Sequence, residues 1–277
     1  MLRSWGYKVS YREELQSPKV FLSHADEMRF LALKEALLMP DVQAIWCLRG
    51  GYGAIRLLPA LEKMKVPKSK KLLIGLSDVS SLHAVLNQKW GWASLHASLL
   101  DRLALNQLSP ENQNELKKAL MDESYHMEFS GLSPLNTSAK INRRIKSKVV
   151  GGNLMVVTST LGTPSQINCA GKILFLEEIS ERAYRVDRCL QQLKQAGVFR
   201  QANAVVFGDF THCDEPNKEN YIQQTLHDFF ENMKVPAFTG VECGHGVLQR
   251  PLFFNSETHL TCGLKPRMIV YSPFKSL

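Results

Sequence analysis

The sequence predicts an α/β protein organised around a parallel sheet. Apolar runs at residues 42–48 and 72–76 are near-continuous, which is the pattern of strands covered on both faces. Each run breaks at a turn carrying glycine or serine and passes into residues with helical spacing, such as Val79, Leu82 and Val85. Strand, loop and helix then repeat through about residue 120, as parallel strands joined by crossover helices require.

Residues 1–15 read as the tail of a helix, with Leu2 and Trp5, followed by a short strand at 7–11. A helix is expected from Asp26, where Asp26 and Glu27 suit the positive end of the dipole, up to Pro40. The strand at 42–48 runs into Arg49-Gly50-Gly51-Tyr52-Gly53. Three glycines there permit positive φ and bring backbone amides close to a bound anion or oxyanion, although a tight turn would use the same residues. The loop is neither G-x-G-x-x-G nor G-K-S/T, so a nucleotide-binding domain is disfavoured.

The stretch at residues 70–83 is a strand-turn-helix junction with Ser77 at the turn. Ligands and nucleophiles gather at such junctions because a helix N-terminus presents unpaired amides. Taken alone, Ser77 or Asp78 reads first as the helix N-cap, since Ser and Asp are preferred there. The motif also departs from the G-x-S-x-G elbow, since Val79 stands where the second glycine belongs. A helix to about residue 88, a strand at 90–96 and a helix at 110–120 complete the first half.

Residues 131–148, rich in Ser, Asn and basic side chains, read as a linker between an N-terminal α/β domain at 1–130 and a C-terminal domain at 149–277. The second half offers a helix at 155–161, a buried strand at 172–176 ending in Glu177-Glu178, and an amphipathic helix at 184–196 closed by Gly197. A strand at 204–210, a helix at 221–233 and strands at 260–262 and 268–271 follow.

With 277 residues, 44% hydrophobic and 22% charged, the composition is that of a soluble globular chain. No apolar run approaches the roughly 18 residues of a membrane span, and the N-terminus lacks the apolar core of a secretory signal, so a cytoplasmic location and no membrane partner are expected. Six scattered cysteines without a C-x-x-C pair read as free thiols, not a zinc ribbon or disulfide framework. The net charge of +8 is spread along the chain apart from residues 68–71 and 143–148. That suits a solvated face or an acidic small substrate better than a nucleic acid. No metal or cofactor is expected.

A serine nucleophile needs a base and a carboxylate that orients the base. His245 alone among the histidines lies between glycines, which frees the backbone to present its ring. Glu177 ends an all-apolar strand, where side chains project into a site, and Glu178 points to the opposite face. His83 and His227 fall inside helical patterns and read as surface or packed residues.

The chain resembles the LD-carboxypeptidases, a family of serine peptidases with a microcin-C-immunity branch. The resemblance rests on DEMR at 26–29, AIWCLRGGYGAIRLLP at 44–59, IGLSDVSSLH at 74–83, GGNL at 151–154, LFLEEISERAYRVDR at 174–188, FGDF at 207–210 and CGHG at 243–246. It implies a flavodoxin-like parallel-sheet N-terminal domain plus a smaller mixed α/β C-terminal domain, with the site between them. It further implies Ser77 as nucleophile, Glu177 as carboxylate and His245 as base. The amide of Asp78 and an amide of the loop containing Gly50, Gly51 and Tyr52 would form the oxyanion hole. The implied reaction releases D-alanine from the murein tetrapeptide L-Ala-γ-D-Glu-meso-diaminopimelate-D-Ala in peptidoglycan recycling, and a homodimer is implied.

The chain departs from the family pattern in three places. The first strand with its Gly/Pro-rich turn is missing, His96-Ala97-Ser98 replaces H-G-P, and Ala183 stands where a proline is expected before Tyr184. A peptidase of microcin-C-like peptidyl nucleotides and a catalytically silent peptide-binding or scaffold protein are the competing readings.

Overall fold

A computed structural model describes residues 1–12 and 20–274. In chain order the first half contains α1 (Asp26–Leu38), β1 (Ala44–Trp46), α2 (Leu58–Lys63), β2 (Leu72–Gly75), α3 (Ser80–Lys89), β3 (Ser94–His96), α4 (Leu100–Ala104), α5 (Pro110–Met121) and β4 (His126–Phe129). There follow β5 (Ser133–Pro134), α6 (Thr137–Lys140), β6 (Arg144–Asn153), α7 (Leu154–Ser159), β7 (Ile173–Ile179), α8 (Ala183–Gln195) and α9 (Val198–Gln201). The chain closes with β8 (Ala204–Thr211), α10 (Ile222–Phe230), β9 (Ala237–Thr239), β10 (Leu252–Phe254), β11 (Glu257–Thr261) and β12 (Arg267–Tyr271).

The fold is mixed α/β with two sheets. The first has the order β1-β2-β3-β10, with β1, β2 and β3 parallel and β10 antiparallel to β3. The second has the order β4-β12-β11-β6-β7-β8-β9-β5 and is parallel from β6 to β9. All four residues of β2 are buried, as the unbroken apolar run requires. The two sheets exchange strands: β4, from the first half, pairs with β12, and β10, from the second half, pairs with β3.

One apolar cluster joins the sheets, with Ile74, Leu95 and Phe254 of the first meeting Val149, Phe175 and Val206 of the second. Another lies between the parallel strands and α7, α8 and α10. A third, with Leu61, Leu73, Val85 and Trp92, lies beneath α1, α2 and α3. Helix α3 is buried from Ser80 to Asn87 and backs onto β6, where Ser80 Oγ accepts the amide of Asn153 at 2.9 Å.

Two sequence expectations are corrected here. Residues 7–11 form no strand: a 3₁₀ turn at Leu2–Trp5 ends at Gly6, and the Tyr7 hydroxyl then bonds the Leu120 carbonyl at 3.3 Å. Tyr7 and Val9 are half-buried and Lys8 and Ser10 exposed, so the alternation is present although residues 7–10 pair with no strand among the described residues. Residues 131–148 carry β5, α6 and the first half of β6, so they are more than a linker. Arg144, Lys146 and Lys148 point outward while Ile145 and Ser147 turn inward, a period of two that the basic composition conceals. This half of β6 pairs with β11 and the remainder with β7.

Candidate active site

The chain passes from β2 through Leu76 into a 3₁₀ turn at Ser77–Val79 and then into α3. Ser77 is half-buried with φ of 66°, a left-handed conformation that costs a non-glycine residue about 1–2 kcal/mol. Strain of this kind survives where the surroundings over-determine the backbone, and it gathers at functional sites. Neither Ser77 nor Asp78 caps α3 through its side chain. Instead Asp78 Oδ2 accepts the amide of Ala54 at 2.8 Å, which ties the Ser77 turn to the glycine loop after β1.

That loop comes against Ser77. A Cβ added to Gly50 would lie 3.2 Å from Ser77 Cβ and 3.5 Å from its Oγ. No backbone hydrogen bond engages the amides of Gly50, Gly51 or Tyr52 among the described residues, so these donors remain available to an oxyanion. Behind the loop, Arg29 donates to the Gly53 carbonyl at 3.0 Å and pairs with Asp26 at 2.6 Å. Thus the DEMR segment braces the glycine turn. Arg49 is largely exposed and pairs with Asp101 at 3.3 Å, and Tyr52 is exposed.

Glu177 is fully buried near the end of β7, at a register shift against β8 between Leu176 and Glu178. Such an irregularity re-aims a side chain. Its Oε2 lies 2.7 Å from His245 Nδ1. Gly244 makes this approach possible: its φ is 133°, and a Cβ there would stand 3.0 Å from the same oxygen. The His245 loop is held further by Asp209 Oδ2, which accepts the Gly246 amide at 3.2 Å, and by Asn112, which donates to the Val247 carbonyl at 3.0 Å.

Burial pushes the Glu177 carboxyl up, but hydrogen bonding with His245 and the approach of His96 outweigh it and hold the group at about 2. Glu177 is therefore an anion facing an imidazole. Burial raises Asp209 to about 6 against the Gly246 amide. Glu178 faces away from this centre: its carboxylate accepts from Asn153 Nδ2 and from the amides of Met155 and Ile179 at 2.8–2.9 Å and closes the N-terminus of α7. Burial raises it to about 7 despite those donors.

The structure brings Glu177 and His245 together, and it brings Gly50 against Ser77. It makes no hydrogen bond from Ser77 to His245 among the described residues. Read against known sequences, residues 1–97 match the LD-carboxypeptidase N-terminal domain and residues 146–260 the LD-carboxypeptidase C-terminal domain. The chain belongs to the LD-carboxypeptidase family. A Rickettsia conorii protein bearing a provisional carboxypeptidase name is 35% identical over 87% of this chain and 75% of its own length. The murein tetrapeptide carboxypeptidase of Pseudomonas aeruginosa is 32% identical over 83% of this chain and 76% of its own. Among solved structures, muramoyltetrapeptide carboxypeptidase from Oxalobacter formigenes superposes with a TM-score of 0.85 at 27% identity, covering 98% of this chain and 91% of that one.

Sequence reasoning met His96 only in the departure from H-G-P at residues 96–98 and missed its place beside Glu177: His96 ends β3, is fully buried, and places Nε2 3.7 Å from Glu177 Oε1. The available signal was the pair Ser94 and His96 inside a completely buried strand, since polar groups in such places need partners.

Proposed function

We propose that the chain is a serine-type LD-carboxypeptidase that hydrolyses the amide preceding the C-terminal D-alanine of murein tetrapeptide. The observation that carries this reading is the 2.7 Å contact of His245 Nδ1 with the buried Glu177 anion. A proton held at Nδ1 by that carboxylate leaves Nε2 as the basic nitrogen, the arrangement a hydroxyl nucleophile needs.

In this mechanism Ser77 Oγ attacks the carbonyl carbon of the L-centre of diaminopimelate while His245 Nε2 takes the hydroxyl proton. The oxyanion is received by the amide of Asp78 and by an amide of the Gly50–Tyr52 segment, donors typically worth about 3 kcal/mol each. His245 then returns the proton to the departing amine of D-alanine, and water attacks the acyl-Ser77 ester. Glu177 keeps the imidazolium oriented and compensated throughout. The Ser77–His245 bond forms in the substrate complex, where catalytic hydrogen bonds commonly tighten. The net charge of +8 suits a substrate with several carboxylates. The six cysteines, all free thiols, accord with a cytoplasmic setting.

Purified protein incubated with murein tetrapeptide is expected to release D-alanine, and Ser77→Ala to end that release with the fold intact. Release that survives Ser77→Ala would remove Ser77 from the nucleophile's role. Binding of tetrapeptide by the wild type without release would favour the silent-binder reading.

A further inference from the structure

Two fully buried polar atoms face each other behind the Glu177–His245 pair. Among the described residues Glu177 Oε1 and His96 Nε2 each have no hydrogen-bond partner, and they stand 3.7 Å apart. Buried groups of this kind are rarely left unpaired, and a donor on Nε2 would complement the carboxylate oxygen opposite it. A small movement of either side chain closes the contact to an ordinary hydrogen bond.

An ionised Glu177 Oε1 can only accept, so a hydrogen bond across this gap needs the proton on His96 Nε2, and the partner of the other ring nitrogen is compatible with that tautomer. Cys243 Sγ lies 3.5 Å from His96 Nδ1. Complete burial first, and the neighbouring carboxylates after it, push the Cys243 thiol well above its usual range, so it stays an S–H that can donate to Nδ1. An imidazole that accepts at Nδ1 carries its proton at Nε2, directed at Glu177 Oε1. Phe175 and Phe254 pack the ring at centroid distances of 5.3 and 5.2 Å and fix its plane.

We propose that His96 is a positioning residue of the reaction, which holds the second oxygen of Glu177 through Nε2–H while Cys243 fixes its tautomer. The proposal rests on the Ser77–His245–Glu177 reading above and deepens it: a chain Cys243–His96–Glu177–His245 orients the base from behind. The titratable and charged groups around this chain are His83 on α3, whose ring lies 6.2 Å from that of His96, Asp209 on β8, Glu115, Glu242 and Arg250 around Cys243 and Asp209, and Glu178, which follows Glu177 on β7 but turns to the other face. His83 is held neutral, since burial lowers it to about 3. It therefore adds no proton to the chain in the working range.

The sign of the pH effect follows from which state the donor favours. Nε2–H stabilises the Glu177–His245 pair when it carries its net negative charge, more than after the pair takes a proton. Removing the donor makes the pair easier to protonate, so the acid limb of kcat/KM moves to higher pH.

The test compares wild type, His96→Leu, His96→Gln and Cys243→Ala in pH profiles of D-alanine release, with thermal unfolding to establish that each is folded. His96→Leu is expected to lower kcat about tenfold or more with little change in KM and to shift the acid limb upward. His96→Gln, which restores an N–H donor at similar reach, should recover most of both. Cys243→Ala, which frees the tautomer, should shift the limb in the same direction by less. Folded His96→Leu with an unmoved acid limb would overturn the proposal, as would His96→Gln no better than His96→Leu. Should His96→Leu fail to fold, ¹⁵N resonances of the wild-type His96 ring decide: a proton on Nε2 supports the proposal and a proton on Nδ1 ends it. Absence of D-alanine release by the wild type would count against the proposed function alone, and the ring resonances would still judge His96.

Discussion

Asp78 Oδ2 accepts the backbone amide of Ala54 at 2.8 Å, so the residue next to Ser77 is bonded across to the residue that follows the glycine loop. The two walls of the proposed oxyanion hole come from the ends of the paired strands β1 and β2, and this bond ties one wall to the other. The Asp78 carboxyl is raised by burial against the amides of Ala54 and Gly53, so its geometry is kept at an electrostatic cost.

Asp78→Ala is therefore expected to hurt turnover more than binding. Loosening the loop should lower kcat by roughly 10- to 100-fold, the cost of misplacing groups by about an ångström. The orphaned Ala54 amide should cost about 1–3 kcal/mol of stability. Asp78→Asn keeps an acceptor and should fall between Asp78→Ala and wild type. Steady-state kinetics with chemical denaturation checks both; a rise in KM at unchanged kcat would mean that the bond serves binding only.

Ser77 offers a separate test of stored strain. Ser77→Ala and Ser77→Gly both lack the hydroxyl, but only glycine adopts φ of 66° without steric cost. Both should be inactive, and Ser77→Gly should be the more stable by about 1 kcal/mol, a Tm difference of about 2–4 °C in a chain of this size. Equal melting temperatures would show that the left-handed turn stores no strain.

Asp209 predicts a pH dependence of stability. Its folded pKa, about 6, lies above the ordinary value of 3.8, raised by burial first and by Glu177 and Glu242 after it. The folded state thus holds this proton more tightly than the unfolded state. Its contribution to stability is fully present below about pH 4 and is lost as pH rises through about 6. Asp209→Asn keeps an acceptor for the Gly246 amide and never ionises. Its melting temperature should match wild type near pH 4 and exceed it by a few degrees at pH 7. A gap that is constant between those pH values would refute the assignment.

The parts of the site that were legible in the sequence are those where local chemistry is unusual for its position. Ser77 breaks a buried strand, Glu177 ends another, and Gly244 and Gly246 strip the bulk from both sides of His245. Asp78 was misread as a cap because its preference for helix starts is local, while its true partner, Ala54, is set by how two loops meet. His96 was hidden for the opposite reason: a histidine in an apolar stretch reads as packing until a buried carboxylate is seen opposite it. In the fold, β6 was concealed by composition. Strand β10 was concealed by length, since three residues give no periodicity and its pairing with β3 is entirely non-local.

That last strand bears on how the molecule is made. Phe253 pairs with Leu95, and β10 contributes Phe254 to the packing around His96. During synthesis the sheet that carries Ser77 cannot close until residues 252–254 have left the ribosome, because they supply its fourth strand. Pairing at such sequence separation is slow and leaves the edge of β3 open to other chains in the interval. A nascent chain stalled before residue 252 should therefore be protease-sensitive around Ser77, and Ser77 and His245 should become ordered in the same late step.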